Sequence, residues 1–261
     1  MTTNLLEHRY GENVTVFDSI HLNTLLTELS SKDTFQPQIN RIVRRLYSSL
    51  FSLILDRENG DKDVTVDTRM ATFTPKGTLQ TKVLDDQARW VIVDLARAGM
   101  IPSEVCFDEA NEVLDPTRSR IDHVFINRKV DENERVVGTD VSGNKIGGDV
   151  EDALLLFPDP MGATGSSIAD AIGIYRDEVE GTPRKVICVH LIITPEYLRR
   201  ITTDFPDVAV YALRVDRGLS EKEVLATIPG ERWDEEKGLN ERHYIVPGAG
   251  GLGEIINNSF V

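Results

Sequence analysis

Between residues 39 and 54 the apolar positions Ile39, Ile42, Val43, Leu46, Tyr47, Leu50, Leu53 and Ile54 recur at helical spacing. That spacing predicts one amphipathic helix whose apolar stripe packs on the rest of the molecule. Residues 63 to 84 instead alternate apolar and polar around Pro75-Lys76-Gly77, which predicts a β-hairpin with a Pro/Gly turn. From Trp90 the pattern changes again. WVIVDL reads as a buried strand, ARAGM leads into a helix, and DHVFINR reads as a second strand. A polar, Gly-containing stretch, Asp131 to Asp152, interrupts the series. ALLLF then reads as a strand, Ser166 to Glu178 as a helix, KVICVHLII as a strand, PEYLRRITTDF as a helix and VAVYALRV as a strand. Strands that are apolar throughout and alternate with helices predict an α/β fold, in which a parallel sheet is covered on both faces and joined by right-handed crossovers. In such sheets ligands sit at the carboxyl ends of the strands. The charged run IPGERWDEEK, inside residues 219 to 238, reads as a surface insertion that is mostly solvated.

Composition narrows the function classes. The 261 residues suffice for one principal core, with 40% hydrophobic and 28% charged residues. A net charge of −14 argues against nucleic acid as a partner, because a phosphate backbone is held by arrays of Lys and Arg. A small anion needs only a few focused donors, whatever the total charge. Only two cysteines occur, Cys106 and Cys188, and the second lies in an apolar run that suits a buried free thiol in a reducing compartment. No apolar stretch approaches the ~20 residues of a membrane span, and the N-terminus lacks the pattern of a secretion signal. A cytoplasmic protein without membrane partners is therefore expected.

The chemistry concentrates where the strand ALLLF runs into PDPMGATGSS and a helix begins. A small-residue loop between strand and helix aims backbone N–H groups and a helix N-terminus at an anion. Gly162 and Gly165 permit a close approach of the backbone, and Thr164, Ser166 and Ser167 add hydroxyl donors. Asp159 stands at the mouth, where its carboxylate suits either sugar hydroxyls or a magnesium ion. The competing reading is that Ser166 or Ser167 only caps the helix while the glycines turn the chain. No Gly-Lys-Ser/Thr follows, so the loop is not a Walker A motif, and it does not match a G-x-S-x-G elbow.

DPMGATGSS resembles the 5-phosphoribosyl-1-pyrophosphate (PRPP) loop of uracil phosphoribosyltransferases, usually close to DPMLATGGS, from which it departs at Gly162 and Ser166. The resemblance implies a PRPP site built from Asp159, Met161, Ala163, Thr164, Gly165, Ser166 and Ser167. LARAGM is similar to the family's LRAGLGM segment and makes Arg97 a pyrophosphate ligand. FINRKVDE resembles a YRDEET-like segment and makes Arg128 a second one. Lys145 is similarly placed to a lysine in the family's flexible hood, and His21 to Leu46 resembles its N-terminal helical region. YIVPGAGGLGE, Tyr244 to Glu254, looks like the base-recognising YIVPGLGDAGD. Backbone groups of Ile245, Gly250, Gly251 and Leu252 would then meet the edge of uracil. The G-x-G-x-x-G run within this segment is not a dinucleotide fingerprint, because no βαβ unit follows it.

The family's first aspartate in this loop is Gly251 here and its second is Glu254. An acid from the insertion, such as Glu231, Asp234 or Glu235, is one expected replacement. The resemblance implies a type I phosphoribosyltransferase-like parallel sheet flanked by helices, with an N-terminal helical region and a β-hairpin/hood elaboration. It implies one domain over 1–261, comprising the N-terminal helix and hairpin region 1–85, the α/β core 86–216, and the insertion with the base-recognising loop 217–261. The implied reaction turns PRPP and uracil into UMP and diphosphate. Catalysis would rest on Asp159, Arg97 and Arg128, with Mg2+ held mainly by PRPP and no direct protein ligation. A homodimer or higher homo-oligomer is implied. A non-catalytic or regulatory nucleotide-binding paralogue, or a phosphoribosyltransferase for a different base, is the alternative. His190, within an apolar strand, reads as a satisfied core histidine.

Overall fold

The computed structural model describes residues 4–130 and 136–259; at 127–130 and 136–139 the backbone alone is described. Strands β1 (Asn4–Leu5) and β2 (Val14–Asp18) lead into helices α1 (Ile20–Ser30) and α2 (Gln38–Glu58), followed by a ribbon of β3 (Asp61–Asp67) and β4 (Thr78–Leu84). The chain continues through β5 (Trp90–Ala96), α3 (Met100–Val113), β6 (Ser119–Val130), β7 (Val136–Lys145), β8 (Leu154–Pro158) and β9 (Met161–Gly162). Then come α4 (Ser166–Asp177), β10 (Lys185–Ile193), α5 (Pro195–Asp204), β11 (Ala209–Val215) and the short helices α6 (Lys222–Leu225) and α7 (Leu252–Ile255).

The main sheet runs in the order β1-β2-β11-β10-β8-β5-β6-β7, with β9 beside β10. From β2 to β6 every pairing is parallel, and β1 and β7 close the two edges antiparallel. The apolar runs are continuous because both faces are covered. Trp90, Ile92, Leu154, Leu156, Ile187 and Val189 join the core under α1, α2 and α3. The intervening Val91, Val93, Leu155, Phe157, Val186 and Cys188 join the core under α4 and α5. Helix α2 buries the stripe read from its spacing, with Val43, Leu46, Tyr47, Leu50 and Ile54 fully enclosed, each worth roughly 1.5–3 kcal/mol of apolar transfer.

Three stretches differ from the sequence reading. The hairpin exists, in register from Asp61↔Leu84 to Asp67↔Thr78, but a longer connection with a 3₁₀ turn at Arg69–Thr72 replaces a tight Pro/Gly turn. Gly77 allows it, since a Cβ there would lie 2.2 Å from the Ala71 nitrogen. Part of the polar stretch 131–152 forms β7, an edge strand whose polarity suits its exposure. Finally, the charged insertion is not solvated throughout. Glu236 is buried, bonded to Arg217 Nη1 at 2.7 Å and receiving the Tyr10 hydroxyl at 2.5 Å. Trp233 stands edge-on to Tyr10 and donates its Nε1 proton to the Pro195 carbonyl at 3.0 Å. The insertion is thereby clasped to the N-terminal segment and to the start of α5.

Candidate active site

Neighbouring strands β11, β10, β8 and β5 end on the same edge of the sheet, so the loops after Ala96, Pro158, Ile193 and Val215 gather there. The loop after β8 is bonded to β10 along its length. Asp159 N–H donates to Val189 O at 3.1 Å, and Pro160 O accepts from the N–H groups of Leu191 and Ile192. Gly162 O accepts from Thr194 N–H at 3.1 Å, and Ala163 O from the Thr194 hydroxyl at 2.7 Å. Met161 O is taken by Ala163 N–H. With these carbonyls turned into the fold, repulsion of an anion by their oxygens is removed from the loop's outer side.

Gly165, at φ 78°, is the N-cap of α4, with no side-chain capping bond. Ser166 and Ser167 are therefore the first helical residues, and the capping reading of these serines does not describe the loop. A twelve-residue helix begins here, and its first-turn N–H groups have no carbonyl partner four residues back within the helix. Thr164 Oγ1 accepts from Ser166 N–H at 3.3 Å and donates to Ser166 Oγ at 3.1 Å. The pocket that results has a volume of about 360 Å3, its open mouth included, and is lined by Asp159, the run Met161–Ile168 and Tyr197. Asp159 Oδ1 also accepts from Met161 N–H at 3.2 Å, which fixes the carboxylate at the pocket wall.

Beneath the loop lies a buried polar chain. His190 Nδ1 is 2.5 Å from Asp159 O and Nε2 is 2.6 Å from the Tyr197 hydroxyl. A carbonyl oxygen only accepts, so Nδ1 carries the proton and Nε2 accepts from Tyr197. Burial pushes the His190 pKa down to about 4, so the ring is neutral near pH 7. His190 is thus the satisfied core histidine read from the sequence, and it also supports the backbone of Asp159.

Arg97 follows β5 across a cis Ala96–Arg97 peptide, and its exposed guanidinium donates to Ser259 Oγ at 2.5 Å. Gly99 brings this turn against the phosphate-type loop, since a Cβ there would lie 3.0 Å from Pro158 O. The backbone of Arg128 pairs with Thr139 on β7; its side chain lies outside the described residues. Lys145 ends β7, exposed.

The segment 244–254 is held from below by the end of β11. Asp216, buried, receives Arg214 Nε at 2.6 Å and Nη2 at 2.9 Å, and also Gly248 N–H at 2.7 Å. Arg214 Nη2 reaches Gly248 O at 3.1 Å. Ile245 faces Leu239 in an isolated antiparallel bridge flanked by Asn240 N–H to Tyr244 O and Val246 N–H to Gly238 O. In a pair of this kind the central residue's own N–H and C=O point away from the partner strand. Gly250 O accepts from Leu252 N–H, and Gly251 O from Glu254 and Ile255 N–H. A Cβ on Gly251 would lie 2.7 Å from Glu254 Oε2, so Glu254 occupies the space an aspartate at 251 would enter. Of the acids expected from the insertion, Glu235 pairs with Arg232 and Asp234 with Arg199, and Glu231 is exposed.

The structure therefore gathers Asp159, Met161, Ala163, Thr164, Gly165, Ser166 and Ser167 into one pocket. Arg97, Ile245, Gly250, Gly251 and Leu252 are not among its lining residues. The turn after Arg97 touches both sides, because a Cβ on Gly253 would lie 3.3 Å from Ala98 Cβ. Two residues of α5 at this site were not legible in the sequence. Tyr197 lines the pocket and fills the space beside Gly162, where a Cβ would be 3.1 Å from its ring. Arg200 Nη1 donates to Ser166 Oγ at 2.8 Å.

The family model described as uracil phosphoribosyltransferase matches residues 16–231. A uracil phosphoribosyltransferase of Campylobacter concisus is 27% identical over 248 residues, 95% of this chain and 99% of the relative. Another from Campylobacter curvus is 32% identical over 127 residues, about half of each chain, at 49% and 50%. Among solved structures, the AQ2163 protein of Aquifex aeolicus superposes with a TM-score of 0.68 at 20% identity, covering 93% of this chain and 97% of that one. With the family match running from β2 into the insertion, over a parallel sheet whose β8–α4 loop carries DPMGATGSS, the chain belongs to the uracil phosphoribosyltransferase family.

Proposed function

We propose that the protein transfers the 5-phosphoribosyl group of PRPP to uracil, giving UMP and diphosphate. The observation that supports this reading is the pocket over Thr164–Ser167, where the carbonyls of Pro160 and Gly162 are tied to β10 and Thr194, and Thr164, Ser166, Ser167 and the start of α4 line one cavity. The 5-phosphate rests in that cradle and the ribose hydroxyls meet Asp159. Arg97 and Arg128 take the diphosphate, which requires the Arg97 guanidinium to leave Ser259. The bond from the anomeric carbon to diphosphate breaks as the bond to the uracil ring nitrogen forms, and the ring N–H proton is released. Positive charge gathers on the ribose in between, so fixed positioning and exclusion of water carry most of the rate. The oxygen donors at the pocket, the Asp159 carboxylate and the hydroxyls, are hard ligands that suit Mg2+. Bound mainly by the diphosphate, Mg2+ would neutralise the leaving group's charge.

Uracil is read by the backbone of Ile245 and of Gly250, Gly251 and Leu252, where an unmatched buried polar group costs about 1–3 kcal/mol. The outward-pointing N–H and C=O of Ile245 support this. One observation favours a second reading, a nucleotide-binding paralogue without turnover: Gly251 stands where the family has its first aspartate, with the Glu254 carboxylate in the space beside it. We also propose a cytoplasmic homo-oligomer folded as one domain over 1–261. Among the described residues no helix is long and apolar enough to cross a membrane. Val66, Leu79, Met70 and Phe73 of the β3–β4 ribbon are exposed and suit burial against a second copy. Incubation with labelled uracil, PRPP and Mg2+ is the test, and UMP is the expected product. PRPP bound without UMP formed would favour the non-catalytic reading, and PRPP consumed only with another base would reassign the acceptor.

A further inference from the structure

The loop departs from the usual DPMLATGGS at two positions, and both face α5. Gly162 makes room for the ring of Tyr197, while the Ser166 hydroxyl accepts from Arg200 Nη1 at 2.8 Å. Tyr197 and Arg200 are three residues apart and so project from one face of the helix. The Arg200 stem passes over Gly165, its Cδ 3.4 Å from where a Cβ would stand. Its Nε is 3.6 Å from Asp204 Oδ2, and its side chain, 40% exposed, lies against the lining residues Gly165 and Ser166 without lining the pocket itself. Ser166 and Asp204 thus steer the guanidinium while engaging Nη1 and Nε. A guanidinium has five N–H donors in a planar fork, the geometry that fits two oxygens of one phosphate. In a chain of net charge −14, an anion site needs such a local cation.

We propose that Arg200 is a direct ligand of the sugar 5-phosphate, closing the cradle from the α5 side next to the α4 N-terminus. This rests on the reading of the pocket given under Proposed function. Arg200 acts at the monophosphate end only. Arg97 lies across the turn packed on Pro158 and serves the other end, so the two arginines separate by ligand.

The test is calorimetric titration of the full chain with ribose 5-phosphate and, separately, with pyrophosphate, for wild type, Arg200→Gln and Arg200→Lys. Loss of a charge-assisted pair predicts that Arg200→Gln weakens ribose 5-phosphate by about tenfold to a hundredfold. Arg200→Lys loses less, because the charge remains without the fork. Pyrophosphate affinity and the ligand-free melting temperature stay at wild-type values in both variants. Ribose 5-phosphate bound as tightly by Arg200→Gln as by wild type overturns the assignment of Arg200 and leaves the cradle reading standing. Equal losses for both ligands also overturn it, since the residue then acts on the fold. A wild-type chain that binds neither ligand removes the cradle reading, and this assignment with it.

Discussion

The loop 159–167 and the segment 244–254 both lie at the carboxyl edge of the sheet, yet they are held by different forces. The first is fastened to β10 and the residue after it by main-chain bonds at Asp159, Pro160 and Gly162, so its shape follows from the sheet itself. The second has main-chain bonds to other segments at Tyr244 and Val246, and beyond them hangs on the Arg214–Asp216 pair and on internal turns, with a clasped insertion just before it. Departures from the family pattern are absorbed accordingly. In the first loop a second element compensates, with Tyr197 beside Gly162 and Arg200 on Ser166. In the second the segment compensates from within, with Glu254 in the space beside Gly251. A loop fixed by backbone can change its side chains without changing its shape. A loop fixed by a few ionic contacts can be retuned as a whole.

Removal of Asp216 breaks this comparison most strongly. Its carboxylate is buried and satisfies both Arg214 and Gly248 N–H. Asp216→Ala leaves the half-buried guanidinium uncompensated and is expected to cost about 3 kcal/mol. Denaturant titration measures that cost. UMP affinity should fall with it, whereas ribose 5-phosphate affinity, read in the same calorimeter, should stay within about twofold because the cradle hangs on other bonds. Parallel loss of both affinities would show that the two loops are one mechanical unit.

Acid probes the support under the first loop. His190 is neutral in the fold, with a pKa lowered to about 4 against an ordinary value of 6.5. The unfolded chain takes up its proton first, so the stability from this group is complete above pH 6.5 and is lost as pH falls toward 4. The full loss is about 3 kcal/mol by linkage, and it should be visible in urea midpoints between pH 7 and pH 4. His190→Gln should flatten that part of the profile. A profile unchanged by the substitution would place the acid sensitivity elsewhere.

Gly162→Leu restores the family's residue in the first loop and is expected to destabilise. The new Cβ would meet Ile193 at 2.9 Å and the Tyr197 ring at 3.1 Å. Overpacking of this kind costs about 1–3 kcal/mol, read as a lower melting temperature with ribose 5-phosphate binding weakened. Combining it with Tyr197→Ala should cost less than the sum of the two single changes. Additive costs would mean that the ring and the glycine are not a compensating pair.

How much of this was legible in the sequence follows from the same physics. The interior strands announce themselves because both faces are buried, which makes WVIVDL and KVICVHLII apolar but for Asp94, Lys185 and His190. Strand β2, five residues long, and the polar edge strand β7 carry too little pattern to stand out. The loop 159–167 is a local signal, a strand, small residues and a helix in one run, so its place in the fold could be read directly. Arg200 could not, because it lies 34 residues beyond Ser166 and only the crossover through β10 brings the two together. The buried role of Glu236 was hidden for a related reason: its partners, Tyr10 and Arg217, lie on other elements, and the run around it is charged.

The smallest expected effect sharpens the comparison at the second loop. Gly251→Asp returns the family's acid, but its Cβ would lie 2.7 Å from Glu254 Oε2, and the two carboxylates would compete for one space. Glu254 is the far end of a flexible side chain, so it can move, and the fold should survive. Two like charges within a few ångströms disfavour each other, however. The single substitution should therefore change kcat/KM for uracil by less than about fivefold, roughly 1 kcal/mol. Glu254→Gln removes the opposing charge while keeping the side chain's size. If position 251 is where the acid belongs, Gly251→Asp combined with Glu254→Gln should exceed the product of the two single effects by several-fold, a coupling of about 1 kcal/mol. Strict multiplicativity would mean that Glu254 does not stand in for the missing aspartate, and that this segment meets its ligand through the backbone alone.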